Sequence, residues 1–155
     1  MGDTVKIGKC IIQIDLYYLV EDHSWARFND DGTVTVGITD VAENMAGPIL
    51  HVYPRKKGMR QKGQSLATIE SGKWVGPLKS PITGEILEAN AVLDKDPGVV
   101  NRSPYGDGWI VRMRPVKLDE ERKFFLTGDE AVEAYRKRIE KQNMKACAEV
   151  AAECG

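Results

Sequence analysis

Apolar and polar residues alternate in short runs along most of this chain, and Gly and Pro punctuate the runs. Ser65-Leu66-Ala67-Thr68-Ile69 alternates, and the stretch 81–90 opens with a turn signal and then alternates again. Period-2 runs with such boundaries read as the two strands of a hairpin. Between them lies Ile69-Glu70-Ser71-Gly72-Lys73-Trp74-Val75-Gly76-Pro77, which puts Lys73 near the tip. Upstream, Asp30-Asp31-Gly32 marks a turn between two strands within 25–38. Thr39 or Asp40 can cap a short helix that runs through Met45 and is stopped by Gly47-Pro48. One strand is expected within 8–14, and others around 49–52, 66–70, 85–90 and 109–114. A short helix or turn is expected within 90–101, where Asp94, Pro97 and Gly98 interrupt.

Helical periodicity takes over only near the end. Thr127-Gly128-Asp129-Glu130 has the form of a capping box, with the Thr127 hydroxyl serving the Glu130 amide and the Glu130 carboxylate returning the bond. Ala131, Ala134, Tyr135 and Ile139 then share one face. The pattern weakens beyond about Lys141, although alanines keep helix propensity high. The expected architecture is one mainly β domain over 1–155. It has a core at about 16–126, short peripheral helices and a C-terminal helix at about 128–152.

With 155 residues the chain can bury a core without staples. Its net charge of −1 points to neither a nucleic-acid nor a membrane-surface partner. The apolar run from Cys10 to Val20 is short, is broken by Gln13 and Asp15, and follows no basic segment, so it is neither a membrane span nor a signal peptide. Lys6 stands where a myristoylation motif needs Ser or Thr. These features predict a cytoplasmic protein. Cys10, Cys147 and Cys154 have no metal-ligand spacing, so no metal site is expected. In a continuous helix Cys147 and Cys154 would be about 10.5 Å apart, beyond disulfide reach, which favours reduced thiols there.

A lysine at a strand turn is ordinarily a solvated charge that protects an edge. A side chain presented so far from the core is also a candidate for covalent modification. The rest of the sequence bears on that choice. Asp22-His23-Ser24-Trp25, the run 31–40, Glu70-Ser71-Gly72-Lys73 and Val100-Asn101-Arg102-Ser103-Pro104-Tyr105-Gly106-Asp107-Gly108-Trp109 follow one another as four blocks. In that order they resemble the H proteins of the glycine cleavage system, from about Leu16 to the C-terminal helix. The resemblance implies a lipoyl-domain-like β-sandwich, or barrel-sandwich hybrid, with family-specific helices. It implies lipoate joined to Lys73 by an attaching enzyme, and a carrier protein that is not itself an enzyme. It further implies that Glu70 is read by the attaching enzyme and that His23 lies near the arm's resting groove; by its own chemistry Trp74 is a candidate to offer the arm an apolar face, packing on its own hairpin being the alternative. Tyr105 and Trp109 are expected to shape turn and core.

The sequence also departs from that family. Gly72 replaces the usual Val, and Trp74-Val75-Gly76-Pro77 replaces Ala-x-Ser-Asp, so an acid becomes Pro77. Ser24 stands where Glu is usual. The segment 53–63 carries five basic residues and no acid, where the glycine-cleavage proteins are acidic. These features resemble the lipoate-binding proteins of sulfur oxidation, which work with a heterodisulfide-reductase-like complex. On that reading the swinging arm carries a sulfur-bound intermediate or electrons. The alternative is a glycine-cleavage carrier serving glycine decarboxylase, aminomethyltransferase and dihydrolipoamide dehydrogenase. A biotinyl carrier would flank the lysine with methionines, against Gly72 and Trp74. A docking module without lipoate is the remaining alternative.

Overall fold

The structure, a computed structural model, describes residues 3–8 and 10–142. An N-terminal hairpin pairs β1 (Thr4–Ile7) with β2 (Cys10–Gln13). Then follow β3 (Tyr17–Leu19), β4 (Ser24–Phe28), β5 (Val34–Ile38), helix α1 (Asp40–Ala46), β6 (Ile49–Pro54), β7 (Gly58–Arg60), β8 (Ser65–Ser71), β9 (Val75–Lys79) and β10 (Gly84–Ala89). The chain continues through short helices α2 (Val92–Lys95) and α3 (Val99–Arg102), strand β11 (Val111–Pro115), helix α4 (Leu118–Glu121), strand β12 (Leu126–Thr127) and helix α5 (Gly128–Gln142).

One sheet runs β12-β3-β4-β5-β11-β10-β7, and a second runs β6-β8-β9; every pairing is antiparallel. The two sheets share one core. Val34 and Val36 of β5, Met113 of β11 and Ile86 of β10 meet Val52 of β6, Leu66 and Ile69 of β8, and Leu78 of β9. A second apolar cluster lies beneath α5, where Ala131, Tyr135 and Ile139 pack with Ile12, Tyr18 and Trp25. Trp25 is wholly buried, donates from Nε1 to the Pro104 carbonyl at 3.0 Å, and covers Gly37. The Tyr105 hydroxyl accepts from the Asp40 amide at 3.0 Å and donates to the Ile11 carbonyl at 2.5 Å. Tyr105 therefore ties turn, helix and N-terminal hairpin together, as its place in the sequence block suggested.

Several expectations need correction. The strand that returns from the Lys73 turn is β9, at Val75–Lys79, not the run at 81–90. Gly76 and Pro77 look like breakers, but β9 is an edge strand, where a residue without an N–H is tolerated. The run 81–90 instead supplies β10 to the other sheet. Thr127 does not act as the proposed cap: it ends β12, and its hydroxyl donates to the Leu16 carbonyl at 2.7 Å. The chain turns into α5 at Gly128, which has φ +58°. Cys10 is fully buried and disulfide-bonded. Cys147, Cys154 and the last part of the expected C-terminal helix lie outside the described residues. Among the described residues no helix is long and apolar enough to cross a membrane.

Candidate functional site

β8 and β9 diverge at a tight turn that presents Gly72 and Lys73. Ser71 fixes the turn from one side: its amide donates to the Trp74 carbonyl at 2.8 Å and its hydroxyl donates to the same oxygen at 3.3 Å. The Lys73 amide donates back to the Ser71 hydroxyl at 3.4 Å. Buried Leu66, Ile69 and Leu78 root the two strands in the core. The result is an exposed lysine on a rigid stem.

A groove of about 500 Å³ opens beside that lysine. Its floor is apolar, built from Ile38, Ala42, Met45 and Leu78; Trp74 and Pro77 form one lip, and Asp22 and His23 the other. Such a volume falls within the ~300–1,000 Å³ of small-molecule sites. Helix α1 is placed at the groove by its cap, with the Thr39 hydroxyl accepting from the Ala42 amide at 3.2 Å. The helix ends at Gly47, φ +78°, and a β-carbon at that position would lie 3.4 Å from the Lys73 Cε. The positive φ calls for glycine there, and the Lys73 stem lies beside it at the end of α1.

His23 is held in the left-handed region, φ 55° and ψ 35°, which a non-glycine residue adopts only where its surroundings impose it. Its amide donates to the Val20 carbonyl and its carbonyl accepts from the Thr39 amide at 3.0 Å. The imidazole stacks on Tyr135, with ring centres 6.0 Å apart. Burial, reinforced by the nearby Arg138 guanidinium, lowers its pKa to about 4, so the ring is neutral at neutral pH. Its Nδ1 is buried without a hydrogen-bond partner. The groove thus sets an apolar bed beside a neutral imidazole. That suits an extended, mainly hydrocarbon arm ending in sulfur.

Of the residues singled out in the sequence, Lys73, Trp74 and His23 meet at this groove, and Glu70 does not. Glu70 lies on the outer face of the β6-β8-β9 sheet, where its carboxylate meets His51 Nδ1 at 3.0 Å. An outer position near the tip is open to an approaching enzyme. Met45 and Leu78 were not foreseen as groove residues. The capped helix was legible, but not that its Met45 side would face the hairpin tip.

Residues 16–139 match the sequence model of the family described as Glycine cleavage H-protein. The chain is 40% identical over 136 residues to glycine cleavage system H protein 2 of Aquifex aeolicus, covering 87% of this chain and 84% of that protein. It is 41% identical over 140 residues to a probable glycine cleavage system H protein 2 of Saccharolobus solfataricus, covering 88% and 94%. The crystal structure of a glycine cleavage system H protein from Mycobacterium marinum superposes with a TM-score of 0.68 at 33% identity, covering 80% of this chain and 98% of that one.

Proposed function

The chain belongs to the glycine cleavage H-protein family, and we propose on that premise that it is a carrier protein with lipoate amide-linked to Lys73. Proteins of this family have a lipoyl-domain-like β-sandwich and carry lipoate on a lysine. The observation that supports the position is the exposed Lys73 at a rigid tip beside an apolar groove. When bound, the lipoyl group supplies a dithiol–disulfide couple that can hold a passenger through sulfur. The protein's own residues present and shelter. Ser71 stiffens the turn, Trp74 and Met45 offer apolar surface to the arm, and neutral His23 offers a hydrogen bond without adding charge. Glu70 with His51 gives the attaching enzyme a charged mark on the outer face. A carrier of this kind works by raising effective concentration at successive partners.

For the passenger, we infer the aminomethyl group of glycine, with glycine decarboxylase, aminomethyltransferase and dihydrolipoamide dehydrogenase as partners. The names of the relatives support that reading over the sulfur-oxidation reading suggested by the tip sequence. One observation favours the second reading, a sulfur-bound passenger and a heterodisulfide-reductase-like complex. Pro77 stands on the groove lip where an acid is usual, and the segment carrying Arg55, Lys56 and Lys57 is exposed. The test is loading of the lipoylated protein by glycine decarboxylase with labelled glycine. Loading at the efficiency of an ordinary H protein supports the glycine reading. Failure to load, with lipoate present on Lys73, overturns it in favour of the second.

A further inference from the structure

On another face a cleft of about 640 Å³ opens between the turn Val20–Asp22, the turn Arg122–Phe124 and α5. Phe124 lines it and is 55% exposed, which is unusual for so large an apolar ring. The ammonium groups of Lys62 and Lys123 lie 4.9 and 5.5 Å from its centre. Lys137 and Arg138 line the cleft from α5. Elsewhere Arg102 pairs with Asp96, Arg112 with Glu88, Arg114 with Glu85 and Arg136 with Glu133. Lys62, Lys123 and Lys137, like the other lysines among the described residues, have no carboxylate partner, and here the charges of Lys62 and Lys123 gather around one exposed ring. Among the described residues Arg138 meets only Glu21, at 3.5 Å, and that acid's side chain is 93% exposed. The Arg138 Nε is buried without a partner. Each ammonium is attracted to the ring face, so an exposed apolar ring and clustered positive charge coincide at one place on the surface.

We propose that this cleft docks an acidic segment of a partner protein, its carboxylates meeting Lys62, Lys137 and Arg138 and an apolar side chain covering Phe124. Charge complementarity selects the occupant. Glu21 and Asp22 on the rim repel a uniform polyanion such as duplex nucleic acid or an anionic bilayer, whereas a short segment places its carboxylates only where the cations are. Asp22 lines both this cleft and the groove beside Lys73. A partner docked here therefore sits at the mouth of the arm groove. That consequence rests on the carrier reading, and the docking itself does not.

The test uses the full chain, isotope-labelled, without regard to lipoylation. Backbone amide spectra are followed during titration with a synthetic peptide of repeated Glu-Asp-Leu triplets, with phosphatidylglycerol vesicles, and with duplex DNA. The peptide is expected to shift resonances of 62, 122–126 and 134–138, to weaken with added salt, and to bind at least about tenfold more weakly to K62E/K137E. F124A, which keeps every charge, is expected to weaken the peptide while leaving the salt dependence unchanged. Shifts elsewhere, binding indifferent to both variants, or preference for vesicles or DNA over the peptide would overturn the proposal. An unmodified Lys73 in the native host, where other lipoyl proteins are loaded, would overturn the carrier reading and leave this result untouched.

Discussion

His23→Asn separates the electrostatic cost of burying His23 from its packing. Asparagine tolerates the left-handed backbone at φ 55°, so the substitution adds no strain there. The folded protein holds the imidazole at a pKa of about 4, largely through burial, while the unfolded chain takes the proton near pH 6.5. Protons therefore bind the unfolded state first. His23 costs the fold nothing above about pH 6.5; the penalty grows as pH falls through that value and levels off below about 4. At about pH 5 the gap of roughly 1.5 pH units is worth about 2 kcal/mol, less where solvent at the groove mouth screens the charge. Urea unfolding of both proteins at about pH 7.5 and about pH 5 gives the two stability differences. Their carboxylates titrate alike, so subtraction isolates His23. Wild type should lose up to about 2 kcal/mol relative to His23→Asn between the two pH values. Parallel stability curves would refute the reasoning, because they would show an imidazole that takes its proton as easily in the fold as in the unfolded chain.

Lys73→Ala should abolish loading while changing unfolding free energy by no more than about 0.5 kcal/mol, since the side chain is exposed; a chemical-denaturation curve checks this. Gly37→Ala and Gly76→Ala put a methyl group against Trp25 and Trp74 respectively, with opposite expected outcomes. At Gly37 the new carbon would meet wholly buried Trp25 at 2.6 Å, so a loss of about 1–3 kcal/mol is expected. At Gly76 the 45%-exposed Trp74 can swing aside, so melting temperature should hold while tryptophan fluorescence shifts. Glu121→Ala removes the acceptor of the Thr83 amide at 2.6 Å and of its hydroxyl at 2.7 Å, and should cost about 1–3 kcal/mol in thermal or urea unfolding.

Local chemistry made some elements legible from the sequence. Asp31-Gly32 set the β4–β5 turn, with Gly32 at φ +87°, and Thr39 capped α1 as read. The alternation of 65–69 placed β8, and the Lys73 turn followed from it. What failed depended on tertiary position. Pro77 can lie in a strand only because β9 is at an edge, and edges are not written in a local pattern. Thr127 satisfies the capping-box spacing, but β12 pairs it with β3 and turns its hydroxyl to the Leu16 carbonyl, more than a hundred residues away in sequence. The short strands β3 and β7 are too brief for periodicity to register. At the site, Lys73, Trp74 and His23 were found through motif residues. Met45 and Leu78 carry no motif and join only when α1 and the β8–β9 hairpin come to border one groove.

Intact and peptide-level mass spectrometry of the chain purified from its native host tests the central claim most directly. The account predicts a lipoyl-sized increment on the peptide bearing Lys73, with any further mass identifying the passenger. An unmodified Lys73, in cells whose other lipoyl proteins are fully loaded, would contradict it.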